Sequence, residues 1–179
     1  MISICIIGGG ASGMAAAITA ARNGADVTIL EQKERLGKKI LSTGNGRCNL
    51  TNKYMDISCF RGEDIDFVKD VLKQFGYQNT LDFFHELGVL TKSRGGYIYP
   101  RSDQATTILE AMEQELKRLG VKCQINTKVL DIQKNKKGFS IYALEKIAKE
   151  VPSEKGASKK GKKKKAVEYI EKNIQLRAD

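Results

Sequence analysis

The chain has 179 residues, 31 of them Lys or Arg and 21 Asp or Glu, for a net charge of +10, and 41% of its residues are hydrophobic. That length suits one domain able to bury about 70% of its unfolded surface, which excludes a mini-protein and a disordered chain. Cysteines at 5, 48, 59 and 123 form no C-x-x-C pair and have no histidine at ligand spacing, which excludes a zinc site and a disulfide framework and predicts reduced thiols.

Seven of the excess charges sit in Lys155–Lys165, a run of Lys, Gly and Ser without aromatics. Such a run reads as a solvated loop rather than a binding tail and argues against nucleic-acid and membrane partners. No stretch is long enough to span a bilayer, and the apolar start lacks the charged region and cleavage pattern of an export signal, so a cytoplasmic location is expected.

In chain order, Ile2 to Ile7 is a short, mostly β-branched run bounded by glycine and is predicted as a strand buried on both faces. Ala11 to Asn23 is helical, with Met14, Ile18 and Ala21 on one side and Gly24 as its C-terminal cap. Asp26 to Leu30 follows as a second buried strand, completing a parallel βαβ unit. Leu36 to Asn52 has no usable period and is predicted as an extended loop or short helical turn. Two short helices follow between Asp64 and Gly88, one with the stripe Phe67, Val68, Val71, Leu72, Phe75, the other with Leu81, Phe84, Leu87. Lys92 to Pro100 reads as a hairpin, Ser102 as the cap of a helix running to Gly120, and the alternating segments from Val121 to Ala143 as strands with a turn at Asn135–Gly138. Ile170 to Ala178 alternates again, as a returning strand.

Gly8-x-Gly10-x-x-Gly13 stands between the first strand and the first helix, the context in which this pattern binds a dinucleotide. The first glycine permits the tight turn, the second lets backbone approach a pyrophosphate, and the third permits close helix packing. Main-chain N–H groups near Ala11 and Ser12 then face the anion. Glu31 closes the second strand where a carboxylate accepts from ribose hydroxyls and repels a 2′-phosphate, so FAD or NAD is expected rather than NADP.

The loop Gly37 to Asn52 packs glycines, amides and cations together. Taken alone it suits a well-bonded structural loop as well as a cofactor contact. Cys48 beside Arg47 is either an activated thiol or, as favoured here, a packing one. His85 reads as a helix-surface residue, and Tyr97, Tyr99 and Arg101 either border a substrate pocket or pack as an aromatic hairpin.

Three segments, IIGGGASGMAAA, GKKILSTGNGRCNLTN and YPRSDQA, together resemble the BaiN-like NAD(P)/FAD-dependent oxidoreductases, a family that includes proteins called aminoacetone oxidases. The resemblance covers residues 1–145 and resumes over 167–179. It implies an α/β, Rossmann-like FAD/NAD(P)-binding domain of glutathione-reductase type, a parallel sheet plus β-meander. It also implies that 1–179 is the N-terminal part of that domain, with a helical insertion over about 53–100 and a variable lysine-rich loop over about 146–166. By position, Gly8, Gly10, Ala11, Ser12 and Gly13 would contact the FAD diphosphate, Glu31 the ribose, and Val129 the adenine, while Gln32, Lys38 and Lys39 would lie along the cofactor. Asn45, Gly46, Arg47, Cys48 and Asn49 would approach the isoalloxazine ring. No catalytic acid or base and no metal ligand is assigned. Members of that family are longer, so the expected partners are a small-molecule substrate and the C-terminal part of the same flavoprotein.

The expected function is hydride transfer between NAD(P)H and an organic substrate through FAD. An FAD-dependent amine oxidase remains open, as do a catalytically silent nucleotide-binding fragment and a basic module docking on nucleic acid through the lysine run.

Overall fold

The computed structural model describes residues 1–151 and 166–179, with side chains outside 148–169. The chain opens with strand β1 (Ser3–Ile7), helix α1 (Ala11–Arg22) and strand β2 (Asp26–Leu30). Alanines at six of the twelve positions of α1 let it lie close to the sheet while Met14, Ala17 and Ile18 disappear from solvent, and Gly24 at φ +84° turns the chain into β2. A 3₁₀ segment over Ile40–Gly46, kinked at Thr43–Asn45, and a two-residue strand β3 (Thr51–Asn52) occupy the aperiodic stretch.

Helices α2 (Ile65–Gln74) and α3 (Tyr77–Glu86) come next. The Asp64 carboxylate caps α2 by accepting from Phe67 N–H at 2.8 Å, and Asn79 reaches back to Gly76 N–H at 3.0 Å to open α3. The hairpin β4 (Thr91–Arg94) and β5 (Tyr97–Pro100) joins β3 in an antiparallel sheet of order β3-β5-β4. Helix α4 (Ala105–Arg118) leads into β6 (Lys122–Gln124), which adds to β2 to give a parallel sheet of order β1-β2-β6. Strands β7 (Thr127–Asn135), β8 (Gly138–Val151) and β9 (Ala166–Ala178) form a long antiparallel meander with a register shift between Val129 and Asp131.

The core lies where α1 and α4 meet the parallel sheet, with Met14, Ile18, Ile29, Ile108, Leu109, Met112 and Leu116 essentially without exposure. Burying each such side chain contributes about 1.5–3 kcal/mol. Glu115 anchors this layer by accepting from Arg22 of α1 and Arg118 of its own helix. The neighbouring guanidiniums, Arg118 first, hold its carboxyl at about 2 despite its burial.

Three expectations need correction. Strand β1 is half-buried, with Ile2 and Ile7 exposed, because β2 is its one full-length neighbour among the described strands. The α2 stripe splits: Val68 and Leu72 turn inward while Phe67, Val71 and Phe75 face solvent, since an apolar period does not say what will cover it. Ser102 does not cap α4. The capping position is Gln104, and Ser102 Oγ instead accepts from Gln104 N–H at 3.3 Å and pairs with the Thr107 hydroxyl. The lysine run falls within 152–165, outside the described residues, while 146–151 belong to β8. No described helix is long and apolar enough to cross a membrane.

Candidate functional site

The glycine turn between β1 and α1 is built by contacts that distinguish its glycines from one another. Gly8, at φ +100°, donates to Leu30 O at 2.8 Å and so ties the turn to the end of β2. Gly9 is buried, and its carbonyl accepts from Gly37 N–H at 2.7 Å, which fastens the second loop to the first. A Cβ on Gly13 would lie 1.9 Å from the Gly8 carbonyl oxygen, so the helix can approach the turn only with hydrogen at that position. A Cβ on Gly10 would meet nothing within 4 Å. Gly10 is therefore a glycine that the protein's own packing does not demand.

Helix α1 makes its first internal hydrogen bond from Met14 N–H to Gly10 O at 2.9 Å, and no side chain caps its start. The N–H groups of Ala11, Ser12 and Gly13 have no protein acceptor among the described residues, and the positive end of the helix dipole coincides with them. Together these features form an anion cradle.

Glu31 is bonded into the turn itself. Its Oε2 accepts from Gly9 N–H and its Oε1 from Lys33 N–H, both at 2.7 Å. The carboxylate pins the turn to the end of β2 and retains lone pairs for further donors.

Two cavities flank the turn. One of about 220 Å³ is lined by Ile7, Gly8, Leu30, Glu31, Gln32 and Thr127–Val129. The other, about 530 Å³, is lined by Gly10–Ser12, Lys39, Ile40, Thr43 and Cys48–Leu50, with Phe84, Ile108 and Met112 beneath. Of the residues expected at a site, Gly8, Glu31, Gln32 and Val129 meet in the smaller cavity, and Gly10, Ala11, Ser12, Lys39, Cys48 and Asn49 in the larger. Gly13 stands behind the turn. Lys38 is paired with Glu34 at 2.8 Å, and Asn45, Gly46 and Arg47 share the loop without lining either cavity.

Several lining residues escaped the sequence reading. Thr127 is buried and donates its N–H to Glu31 O at 2.8 Å, so the start of β7 walls the smaller cavity. Phe84 belongs by periodicity to a helix stripe and Ile108 and Met112 to the buried face of α4, and nothing local separates a cavity floor from a core face.

Cys48 is buried, in the left-handed region at φ +61°, and burial pushes its thiol up against the opposing Thr43 hydrogen bond. A buried thiol with a raised pKa fits a packing role better than an activated one. His85 is exposed on α3.

With this geometry in view, residues 2–155 match the HI0933-like protein Rossmann domain. The chain is 61% identical over 145 residues to a 3-dehydro-bile acid delta(4,6)-reductase of Clostridium scindens, covering 80% of this chain and 36% of that protein. It is 28% identical over 137 residues to a ribosomal RNA dihydrouridine synthase of Escherichia coli, covering 76% and 34% respectively. It thus spans about a third of the length of these curated relatives. Among solved structures, a 3-ketosteroid-delta4-(5alpha)-dehydrogenase from Rhodococcus jostii superposes with a TM-score of 0.65 at 14% identity over 97% of this chain and 43% of that one. A flavocytochrome c3 fumarate reductase does so at 0.62 and 16% identity over 79% and 30%. At such identities the likeness establishes the fold, which is of Rossmann type.

Proposed function

The chain belongs to the HI0933-like Rossmann-domain family, and on that premise we propose that it is the FAD-binding part of a flavin-dependent reductase that passes hydride from NAD(P)H to an unsaturated organic substrate. The observation that carries this reading is the open space at Gly10 in front of the unpartnered N–H groups of α1. A glycine that nothing in the protein requires, at the mouth of an anion cradle and between two cavities, fits a diphosphate joining two bulky halves.

In this reading the smaller cavity takes the adenosine end. Glu31 accepts from the ribose with its remaining lone pairs, and Gln32 and Val129 flank the adenine. Ala11 and Ser12 N–H groups hold the diphosphate, and Lys39 offsets its charge from the rim of the larger cavity. Lys38 joins them only by leaving Glu34. Cys48 and Asn49 wall the space for the flavin ring, with Asn45, Gly46 and Arg47 closing over it from the same loop. Bound flavin supplies the hydride-carrying chemistry, and the protein binds, orients and shields it.

Both named relatives support a reductase. The activity each name describes, reduction of an unsaturated bile acid or conversion of uridine to dihydrouridine, adds hydrogen across a carbon–carbon double bond. FAD titration tests the placement: Gly10→Val fills the open space and is expected to weaken binding by at least about tenfold with the fold retained. Equal titration curves for variant and parent would refute it. NADH consumption by the flavin-loaded protein without peroxide release is the signature expected of a reductase rather than an oxidase.

A further inference from the structure

The fold gathers positive charge around one acid. The stretches 35–55 and 87–109 together hold eight Lys or Arg and a single carboxylate, that of Asp103. They are distant in sequence and are brought side by side by the β3-β5-β4 sheet. Pairing places Arg94 opposite Tyr97 and Lys92 opposite Tyr99 on the outer face, while Ile98 and Pro100 turn into the interior. The second loop leans on the same central strand. The Tyr99 ring lies against Gly44, Leu50 N–H donates to Ile98 O at 2.8 Å, and the Asn49 amide donates to Ile98 O at 3.1 Å and Thr51 O at 3.0 Å.

Asp103 carries two marks of a residue with a further task. Its backbone is left-handed, at φ +57°, in the turn that links β5 to α4, where its N–H donates to Pro100 O at 3.0 Å. Its carboxylate is engaged on one side only: Oδ2 accepts from both Lys92 Nζ and Arg94 Nη2, whereas Oδ1 is hidden from solvent and has no donor among the described residues. Lys92 foremost, with Arg94 and nearby Arg47, keeps the carboxyl below the ordinary carboxylate range, so the group is ionised near neutrality. Arg47 is the complementary case. It is exposed, stands between Gly46 and the buried Cys48, and its guanidinium has no acceptor among the described residues.

We propose that Asp103 is a positioning residue for the second loop: its Oδ1 receives the Arg47 guanidinium, which draws the loop onto the sheet and fixes Thr43, Cys48 and Asn49 as a wall of the larger cavity. The proposal rests on the reading of that cavity as the flavin site. Lys92 and Arg94 by themselves repel a third cation, and the carboxylate between them turns that repulsion into attraction. A guanidinium suits the place because its planar fork bonds one oxygen of a carboxylate whose other oxygen is already taken, and its base is set by the buried Cys48 beside it. Open and closed loops exchange without FAD, and bound FAD favours the closed one.

The test is a double-mutant cycle on FAD release from the loaded protein, followed by the fluorescence of the freed flavin. It uses Arg47→Gln and Asp103→Asn, the latter keeping a side chain that tolerates the left-handed turn. Each single change is expected to speed release about tenfold, and the double variant to release no faster than either one. Arg47→Lys, a point charge without the fork, should recover only part of the loss. Rates that multiply in the double variant, or an Arg47→Gln rate equal to the parent's, would overturn the proposal and leave the flavin site standing. A parent that takes up no FAD would sink the flavin reading instead, and the loop is then followed by mapping tryptic cleavage of the Arg47–Cys48 bond. Asp103→Asn should speed that cleavage severalfold relative to the other tryptic sites, and cleavage at the parent's rate would overturn the proposal.

Discussion

The glycine turn and the second loop meet through one hydrogen bond, Gly37 N–H to Gly9 O, yet they are built on opposite plans. In the turn, Gly8, Gly9 and Gly13 are each fixed by a neighbour within bonding or contact distance, and a carboxylate from β2 clamps the backbone. In the loop, Ile40 and Cys48 are buried and anchor a span whose Ser42 to Asn45, Arg47 and Asn49 stay exposed, and Asn45 and Cys48 hold left-handed backbone. A rigid cradle suits an invariant group such as a diphosphate, whereas an exposed, strained loop suits a group whose contacts are completed only when it arrives.

The contrast can be broken most severely at Gly13. Gly13→Ala drives a methyl into the Gly8 carbonyl at 1.9 Å and is expected to abolish folding or cost several kcal/mol, read as loss of the cooperative thermal transition. Three residues away, Gly10→Val should leave that transition in place and remove only FAD affinity, and a Gly10→Val protein as unstable as Gly13→Ala would erase the distinction.

Glu115 sharpens the same point for the scaffold beneath the turn. Its folded carboxyl is held at about 2 against an ordinary 4.5, so its contribution is present above pH 4.5 and is lost as pH falls toward 2. Glu115→Gln should cost about 1–3 kcal/mol near neutrality and flatten the acid transition in that window, followed by circular dichroism. A variant whose acid unfolding superposes on the parent would contradict this.

Glu31→Gln is the mildest and the most discriminating. Loss of charge-assisted bonds to Gly9 and Lys33 should lower stability by about 0.5–1.5 kcal/mol and weaken FAD binding together. Weakened FAD binding with unchanged stability would show that the carboxylate serves the ribose alone.

Much of the fold was legible because its signals are local. The switch from a β-branched run to an alanine-rich period at Gly8–Gly13 announced the βαβ unit, and Gly24, Gly88 and Gly120 marked helix ends that the backbone confirms with positive φ. The site was half legible for the same reason. Gly10, Ala11 and Ser12 belong to one contiguous motif with Glu31 a single crossover away, whereas Thr127 and Phe84 come to the cavities from distant segments with no local mark of their role.

By itself, the sequence determined the Rossmann-type opening, the glycine turn and its acidic partner, because each depends on residues adjacent along the chain or one crossover apart. Tertiary structure alone decided three things: that Glu31 also clamps the turn, that Cys48 is a buried thiol on a cavity wall, and that cations from two remote stretches share a sheet face with Tyr97. Each of these is a matter of which side chains approach through space, and that depends on strand register and burial, which a linear pattern does not encode.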